Sequence, residues 1–240
     1  MRRILFPLAG LFLVAPVCRA DDAADAKAII DKAIKARGDK PDAKPLAQTW
    51  KEKVNFGDVA YAAEWTFQPP DKCRVVVTVN NPAQTVTIVV NGEKAWIDYG
   101  GGGEEVTGNQ LAEVLPEMNR FWITTLTPLL TDADFTLATA KGEDVDKKPT
   151  VAVKVTNGKR PVATLYFDKE TGLLVKREAL VKEDGKEVSE ETFFADYKEV
   201  GGRKFYTKMT ALHDGKPWTS STLSDHKMVE KLDAKLFEKP

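Results

Sequence analysis

Short segments in which apolar and polar residues alternate recur through most of the chain and end in Asn-Gly or Asp-Gly pairs. Four such pairs stand at segment junctions: Asn91-Gly92, Asn157-Gly158, Asp184-Gly185 and Asp214-Gly215. These pairs adopt the backbone angles of a two-residue hairpin turn, and only antiparallel neighbours can be joined by so few residues. The sequence therefore predicts an antiparallel meander and not a parallel sheet.

The alternating segments carry β-branched and aromatic residues on one side, as half-buried strands do. They comprise Val59–Phe67, Cys73–Val79, Val86–Val90, Lys94–Tyr99, Val151–Val155, Ala163–Phe167, Leu173–Lys182 and two segments that flank residues 213–216. We expect about ten or eleven strands in one sheet, and a sheet of that size curls or closes. Curling leaves a concave interior that side chains need not fill.

An amphipathic helix is predicted before the first strand. Ala26, Ile30, Ala33 and Ile34 fall on one helical face, and basic residues precede Gly38, where the helix should end.

A second helical interval, residues 107–130, separates the two groups of strands. Its apolar stripe is interrupted by Pro116 and Pro128, which predict two or three short helices rather than one rod. We expect this insertion to cover one face of the sheet as a lid. The predicted fold class is α+β, with a single curled antiparallel sheet (a half-open β-barrel), an amino-terminal helix and a helical insertion.

The amino terminus has the pattern of a secretory signal peptide. Two arginines precede an apolar run from Ile4 to Val17, and Cys18 and Ala20 fill small-residue positions before a cluster of acids, which predicts cleavage after Ala20. A membrane anchor needs about 18 apolar residues, and this run is shorter. A lipid-modified Cys18 is the alternative, although Val17 stands where a small residue usually precedes such a cysteine. We expect a periplasmic or otherwise exported protein, with a signal peptide at 1–20 and one domain at 21–240.

Charge and cysteine content narrow the class of partner. Without residues 1–20 the chain keeps 32 basic and 36 acidic residues, a formal charge of −4. Nucleic acids and anionic membrane surfaces select basic patches, so neither is expected as the main partner. Cys73 is then the single cysteine, so no intramolecular disulfide can form and stability must come from packing.

The chain offers little that resembles a catalytic site. His213 stands beside a predicted hairpin turn, and His226 ends the triplet Ser224-Asp225-His226, whose consecutive residues would point to opposite faces of a strand. The glycine run 100–103 lacks the lysine of a phosphate loop, and no metal-ligand motif occurs. We predict no catalytic site, no metal site and no cofactor. Ionisable groups that converge in a pocket near His226 or Arg177 would instead favour an enzyme.

Three segments resemble a known family. Residues 165–176 join two strands through an Asp-x-x-Thr-Gly-Leu turn, residues 196–205 are similar to a conserved Asp-Tyr-Lys segment with a glycine turn, and residues 232–240 are similar to the family's ending. In these segments and in the order of its elements, the chain resembles the LolA-like family of periplasmic outer-membrane lipoprotein carriers. Lys204-Phe205 stands where that family usually has a proline after the glycine turn. The motifs are turn and strand chemistry, so they identify a fold better than an activity.

The resemblance implies a hydrophobic cavity under a helical lid that shelters the acyl chains of lipoproteins. One long acyl chain exposed to water costs on the order of 10 kcal/mol, which such a cavity would offset. The candidate cavity walls are Tyr61, Trp65, Phe67, Leu165, Phe167, Val175 and Arg177, and the candidate lid contacts are Leu115, Met118 and Trp122.

Arg177 stands where a filled core would have an apolar residue. It would anchor a ligand headgroup or a lid carbonyl if it points inward, and the alternative is a strand end in solvent. The expected partners are a lipidic or acylated-protein ligand and the inner- and outer-membrane proteins that load and unload it, with the carrier as a monomer. The other interpretation is an envelope scaffold or protein-interaction module with the same fold and a filled core.

Overall fold

The structure, a computed structural model, describes residues 20–41, 45–79, 84–158, 160–183 and 185–240, with residues 20, 21 and 160–162 described by backbone alone. The predicted signal peptide, including Cys18, lies outside these ranges except for Ala20, where the first helix begins. No helix in the described part of the chain has both the length and the apolar character needed to cross a membrane.

The described part of the chain forms three α-helices, sixteen strands and a short 3₁₀ helix, Ala234–Phe237. The helices are α1 (Ala20–Arg37), α2 (Gly108–Thr124) and α3 (Pro128–Thr131). The strands that precede α2 are β1 (Ala47–Phe56), β2 (Val59–Gln68), β3 (Lys72–Val79), β4 (Thr85–Asn91), β5 (Lys94–Asp98) and β6 (Glu104–Glu105). Those that follow α3 are β7 (Thr136–Ala140), β8 (Asp144–Val145), β9 (Lys148–Asn157), β10 (Arg160–Asp168), β11 (Leu174–Glu183), β12 (Lys186–Ala195), β13 (Lys198–Val200), β14 (Arg203–Phe205), β15 (Lys208–His213) and β16 (Lys216–Val229).

Fourteen strands form one antiparallel sheet, in the order β6-β5-β4-β3-β2-β1-β16-β15-β12-β11-β10-β9-β7 with β8 beside β9. Strands β13 and β14 form a separate hairpin. The sheet is open, since its edge strands β6 and β7 do not pair with each other. The predicted α+β class with a single curled antiparallel sheet is confirmed. The strands outnumber the ten or eleven expected because several are only two to five residues long, too short for alternation to reveal.

Strand β1 joins the first and last parts of the sheet and was not among the predicted strands. It pairs with β2 on one side and with β16 on the other. Trp50, Glu52 and Val54 are buried on its inner face, whereas Lys51 and Lys53 are exposed. The alternation was hidden because an acid occupies an inward position between two lysines.

Two apolar clusters occupy the concave side of the sheet. The first lies under α1, whose predicted face of Ala26, Ile30, Ala33 and Ile34 is fully buried against strands that include β9, β10 and β11. The second lies between α2 and strands β1 to β5. The amino-terminal helix therefore closes one half of the sheet, and the helical insertion covers the other.

Residues 107–130 contain two helices, as predicted, because α3 begins at Pro128, but α2 continues through Pro116, where the sequence predicted a break. Proline removes the hydrogen bond to the carbonyl of Ala112, which is exposed and therefore accessible to water. No residue in the first ten positions of α2 is buried, whereas Met118, Arg120 and residues 122–124 are buried. The helix is thus held mainly by its carboxy-terminal half.

The turn between β10 and β11 has the chemistry that its sequence predicts. The Asp168 carboxylate accepts hydrogen bonds from the backbone N–H of Thr171 at 2.7 Å and from its hydroxyl at 2.9 Å. Gly172 has a φ of 73°, which a residue with a side chain rarely adopts. The turn is a structural element, and any function lies on the strands that it joins.

Replacement of Asp168 by asparagine tests this turn. The Thr171 N–H holds the pKa of Asp168 below its ordinary value, so the charge stabilises the fold above an unfolded-state pKa of about 4 and ceases to do so as pH falls through the folded-state pKa. We expect Asp168→Asn to lower the free energy of unfolding by about 1 kcal/mol at pH 7, and by progressively less below pH of about 4. Urea unfolding at several pH values measures this difference. Glu170→Gln replaces an exposed acid of the same turn and should leave the free energy of unfolding unchanged. Equal effects of the two substitutions on that free energy would contradict the assignment.

Candidate functional site

A cavity of about 430 Å³ lies between α2 and the concave face of the sheet. Strands β1 to β4 line one side, and β11, β12, β15 and β16 line the other, so the sheet curls around it. Small-molecule pockets in proteins commonly enclose about 300–1,000 Å³. This part of the concave face is therefore hollow, whereas the strands under α1 carry a cluster of buried apolar side chains.

Most of the lining is apolar. Aliphatic side chains of β1 to β4 form one wall: Val54, Ala63, Val75, Val77, Ile88 and Val90. Aromatic rings contribute from both sides and from the helix: Trp50, Tyr61, Trp65, Phe121, Phe194, Tyr206 and Trp218. Cys73 also lines the cavity, and burial raises the pKa of its thiol, so the group is protonated and acts as another apolar side chain.

Trp50 is the centre of a stack of rings. Its ring lies 5.3 Å from that of Trp65, 5.0 Å from Phe121 of α2 and 5.6 Å from His226, measured between centroids. His226 in turn stacks on Phe205 at 4.5 Å. These contacts fix α2 to the sheet through Phe121.

The Ser224-Asp225-His226 triplet does not form a triad. Ser224 and Asp225 are exposed, and the Asp225 carboxylate lies 3.8 Å from Lys51 Nζ on the outer face. Burial lowers the pKa of His226 to about 4, so its imidazole is neutral near pH 7. In this environment His226 serves as a packed aromatic ring.

A charged network lies at one end of the cavity. The Arg177 guanidinium donates to Glu190 at 2.7 Å and to the Thr192 hydroxyl at 3.1 Å, and all three residues are buried. His213 contacts Glu190 at 3.4 Å and Glu183 at 3.1 Å, which extends the network toward the surface. The Nε of Arg177 has no hydrogen-bond partner among the described residues.

A second acid, Glu52, lies on the apolar wall and is 6% exposed. Its cross-strand neighbours are Ala63 and Leu223, and it forms no ion pair with any described residue. Burial raises the pKa of Glu52. Hydrogen bonds from the Ser221 and Trp65 side chains lower this pKa, but they do not cancel the rise.

Four of the predicted site residues line this cavity: Tyr61 and Trp65 on β2, Met118 on α2 and Arg177 on β11. Arg177 points inward, so the alternative of a strand end in solvent is wrong for this residue. It bonds Glu190 and Thr192, and neither bond is to a lid carbonyl. Whether these side chains contact a lipid stays a prediction.

Six predicted residues lie elsewhere. Leu165 and Phe167 are 0% and 1% exposed in the closed cluster under α1, so they do not line the hollow. Phe67 is 0% exposed and lies behind Phe121, whose ring meets its ring edge-on at 4.7 Å. Leu115 and Trp122 pack in the cluster between α2 and the sheet and not on the cavity surface.

Val175 is displaced by a β-bulge. Phe167 pairs with Leu174 and Tyr166 pairs with Lys176, so Val175 is the extra residue on β11. A bulge reverses the parity of the residues on either side of it. Leu174 therefore joins the inner face with Arg177, whereas Val175 is half-buried and belongs to neither apolar cluster.

Arg37 is a functional candidate that the sequence did not reveal. Its guanidinium donates to the carbonyls of Thr124 at 3.3 Å and Thr125 at 2.5 Å, which are the last carbonyls of α2. It also pairs with Asp39 at 2.5 Å. From sequence, Arg37 is one of several bases at the end of α1, and nothing local indicates that the end of α2 lies beside it. The arginine that binds carbonyls at the carboxy-terminal end of α2 is thus Arg37.

Replacement of Arg37 by methionine should loosen the carboxy-terminal end of α2. Hydrogen bonds to charged groups contribute about 1.5–3 kcal/mol, so we expect the free energy of unfolding to fall by about 1–3 kcal/mol and amide exchange to rise in the last turn of α2. Lys35→Met is the matched control, because Lys35 forms only an exposed pair with Asp31 and should change stability by less than about 0.5 kcal/mol. Unchanged exchange in α2 of Arg37→Met would contradict the assignment.

Ionisable groups do converge on the cavity, through Arg177, Glu190, Glu52 and Glu117. Arg177 forms an ion pair with Glu190, and Glu117 forms an ion pair with Arg120. Within the described ranges, no Ser, Thr or Cys is bonded to an imidazole in the manner of an activated nucleophile, and no cluster of His, Cys, Asp and Glu could hold a metal ion.

Solved structures with a similar fold come from several bacteria. A LolA superfamily protein from Nitrosomonas europaea superposes with a TM-score of 0.58 at 16% identity, covering 89% of this chain and 97% of the other. A DUF1329 family protein from Desulfovibrio piger gives 0.56 at 15%, covering 89% and 97%. A domain from Vibrio parahaemolyticus named for outer membrane lipoprotein sorting gives 0.55 at 12%, covering 88% and 97%.

No protein-family model and no curated protein matches the sequence. The structural likenesses show the LolA-like fold and, at this level of identity, the fold alone. The resemblance noted in the sequence is thereby confirmed for the fold.

Proposed function

We propose that this protein is an exported, non-catalytic carrier that holds a lipid or the acyl chain of a lipoprotein in the cavity beneath α2. The observation that carries this proposal is the unfilled volume of about 430 Å³, with a mostly apolar lining, beside a closed apolar cluster under α1. An envelope scaffold would have no need of such a volume, because interior space left empty forfeits contacts between packed atoms.

The apolar wall of β1 to β4 is the surface on which the acyl chain would lie. Each methylene that leaves water contributes about 0.8 kcal/mol, so a chain seated along Val75, Val77 and Ile88 needs no specific polar contact for tight binding. In the order of the strands, β1 with Glu52 lies between β2 to β4 of this wall and the charged network at Arg177 on β11 and β12. The cavity therefore offers an apolar region at β2 to β4 with polar groups beside it, as an amphiphile requires.

Access to the cavity is proposed to come from movement of the amino-terminal half of α2. That half has no buried residue, its Thr107 cap forms no side-chain hydrogen bond, and a run of glycines precedes it. The other end is held by Arg37 and by the ring stack of Phe121. Opening would thus pivot about the carboxy-terminal end of the helix.

The proposed cargo and the proposed export of the protein are supported by different observations. The domain named for lipoprotein sorting that shares this fold supports an acylated protein as cargo. The pattern of residues 1–20 supports export, with loading and unloading by envelope proteins.

Titration with a neutral probe, a pyrene-labelled long-chain alcohol, tests the proposal. The expected result is saturable uptake by the monomer, with the pyrene fluorescence reporting transfer out of water. Mass spectrometry of the extracted probe should show it chemically unchanged after long incubation. A protein that takes up no probe would support the scaffold interpretation, and conversion of an ester-linked version of the probe would support an enzyme.

A further inference from the structure

Glu52 is a buried carboxylate that faces the cavity without a compensating cation. It occupies an inward position of β1 between Trp50 and Val54, opposite the small side chain of Ala63. The side chains of Ser221 and Trp65 hydrogen-bond the carboxylate, and neither these groups nor the cross-strand neighbours Ala63 and Leu223 carry a positive charge. Buried carboxylates in proteins generally pair with a positively charged group. A buried carboxylate that lacks such a group and lies on a binding surface can pair with a positively charged group of the ligand.

The other charges around the cavity balance one another. Arg177 is paired with Glu190, and Arg120 is paired with Glu117. The charged neighbour that most affects Glu52 is Glu117, a second acid that disfavours its negative charge. The acid of the cavity that lacks a paired cation is therefore Glu52 on β1, and a bound cation would stabilise its negative charge.

Aromatic rings surround this carboxylate. Trp65 and Tyr61 lie diagonally across from it on β2, and Trp50 precedes it on the same face of β1. Rings of tryptophan and tyrosine attract cations through their faces, and aromatic sites with such rings bind quaternary ammonium groups. An acid among aromatic rings is a combination that suits a cation and disfavours an anion.

We infer that the cavity contains a cation subsite, formed by Glu52 with the rings of Trp65 and Tyr61, that selects amphiphiles with a positively charged ammonium headgroup. This inference rests on the proposed function, since it names the class of amphiphile that the carrier takes. The Nε–H group of Arg177, which has no partner among the described residues, can donate to a neutral oxygen of such a ligand, for example an ester carbonyl. An anionic headgroup would instead be repelled by Glu52.

Three amphiphiles with the same chain test the subsite: dodecyltrimethylammonium, dodecanol and dodecyl sulfate, each below the concentration at which it forms micelles. Each competes with the pyrene-labelled alcohol for the wild-type protein. We expect the ammonium compound to bind about tenfold more tightly than dodecanol, and the sulfate to bind more weakly than dodecanol.

Glu52→Gln keeps the shape of the side chain and removes its charge. In this variant the preference for the ammonium compound over dodecanol should disappear, and saturable uptake of dodecanol shows that the cavity is still present. Glu64→Gln is the matched control, because Glu64 is an exposed acid on the outer face of β2 and its removal should leave the preference in place. Dodecanol binding without an ammonium preference, or a preference that survives in Glu52→Gln, would overturn the cation subsite and leave the proposed function standing. Failure of all three compounds and of the pyrene probe would overturn the proposed function itself.

Discussion

We expect Ala63→Phe to abolish uptake of the pyrene-labelled alcohol. Ala63 is 2% exposed, lies on the inner face of β2 and lines the cavity. A phenylalanine ring at this position occupies the volume that several methylene groups of the ligand would fill. At about 0.8 kcal/mol for each displaced methylene, the affinity should fall by more than about 100-fold.

The control for this substitution lies one residue away. Ala62 is exposed on the outer face of the same strand, so Ala62→Phe adds the same ring without entering the cavity. We expect wild-type uptake from Ala62→Phe, and a free energy of unfolding for Ala63→Phe within about 1–3 kcal/mol of wild type because the new ring enters an existing void. Fluorescence titration and urea unfolding of both variants provide the measurements. Uptake by Ala63→Phe equal to that of Ala62→Phe would place the ligand outside this cavity.

Phe167→Ala should produce the largest loss of stability with no loss of binding. The ring is 1% exposed in the closed cluster under α1, and removal of such a ring costs about 3–5 kcal/mol. It does not line the cavity, so uptake of the probe by the folded variant should match that of wild type.

Val175→Ala is the comparison variant for Phe167→Ala, because Val175 lies on the neighbouring strand outside the closed cluster. The bulge on β11 leaves Val175 half-buried, so its truncation should cost less than about 1.5 kcal/mol. Urea unfolding and probe titration measure both variants. A Phe167→Ala variant that keeps its stability but loses uptake would mean that Phe167 lines a binding cavity after all.

The fold could be predicted from sequence because its signals are local. Asn-Gly and Asp-Gly pairs mark hairpin turns, and alternation marks strands, so most of the long strands agree with their predicted ranges to within a few residues. Strand β1 was missed because Glu52 faces inward between two exposed lysines. That departure from alternation is also the feature to which the cation subsite is assigned.

The cavity walls could be predicted only in part, because they depend on contacts between distant elements. Tyr61 and Trp65 share a face by simple alternation, and the structure places both on the cavity. Leu165 and Phe167 also share an inward face, but α1 covers that part of the sheet, and nothing in their own strand indicates which helix lies above it. The bulge at Val175 likewise leaves no mark in the sequence.

The side chains of helix α2 that face the cavity could also be predicted only in part. Its apolar stripe predicted a helix over the sheet, and Met118 lines the cavity as expected. The side chains that face the hollow are nevertheless those of Val114, Glu117, Met118, Phe121 and Thr124, a stripe rotated by about one residue from Leu115 and Trp122. A small rotation about the helix axis is set by packing against the sheet, here by the stack of Phe121 on Trp50, and is not encoded in the periodicity.

Native mass spectrometry of the protein purified without detergent from the envelope fraction of a producing bacterium tests the carrier proposal most directly. We predict that the wild-type protein retains a lipid or lipopeptide that is released intact on activation in the gas phase. The Ala63→Phe variant, produced and purified in the same way, should have the mass of the polypeptide alone. A wild-type protein with no bound lipid, or equal amounts of lipid on both proteins, would contradict the proposal that the cavity beneath α2 carries the ligand.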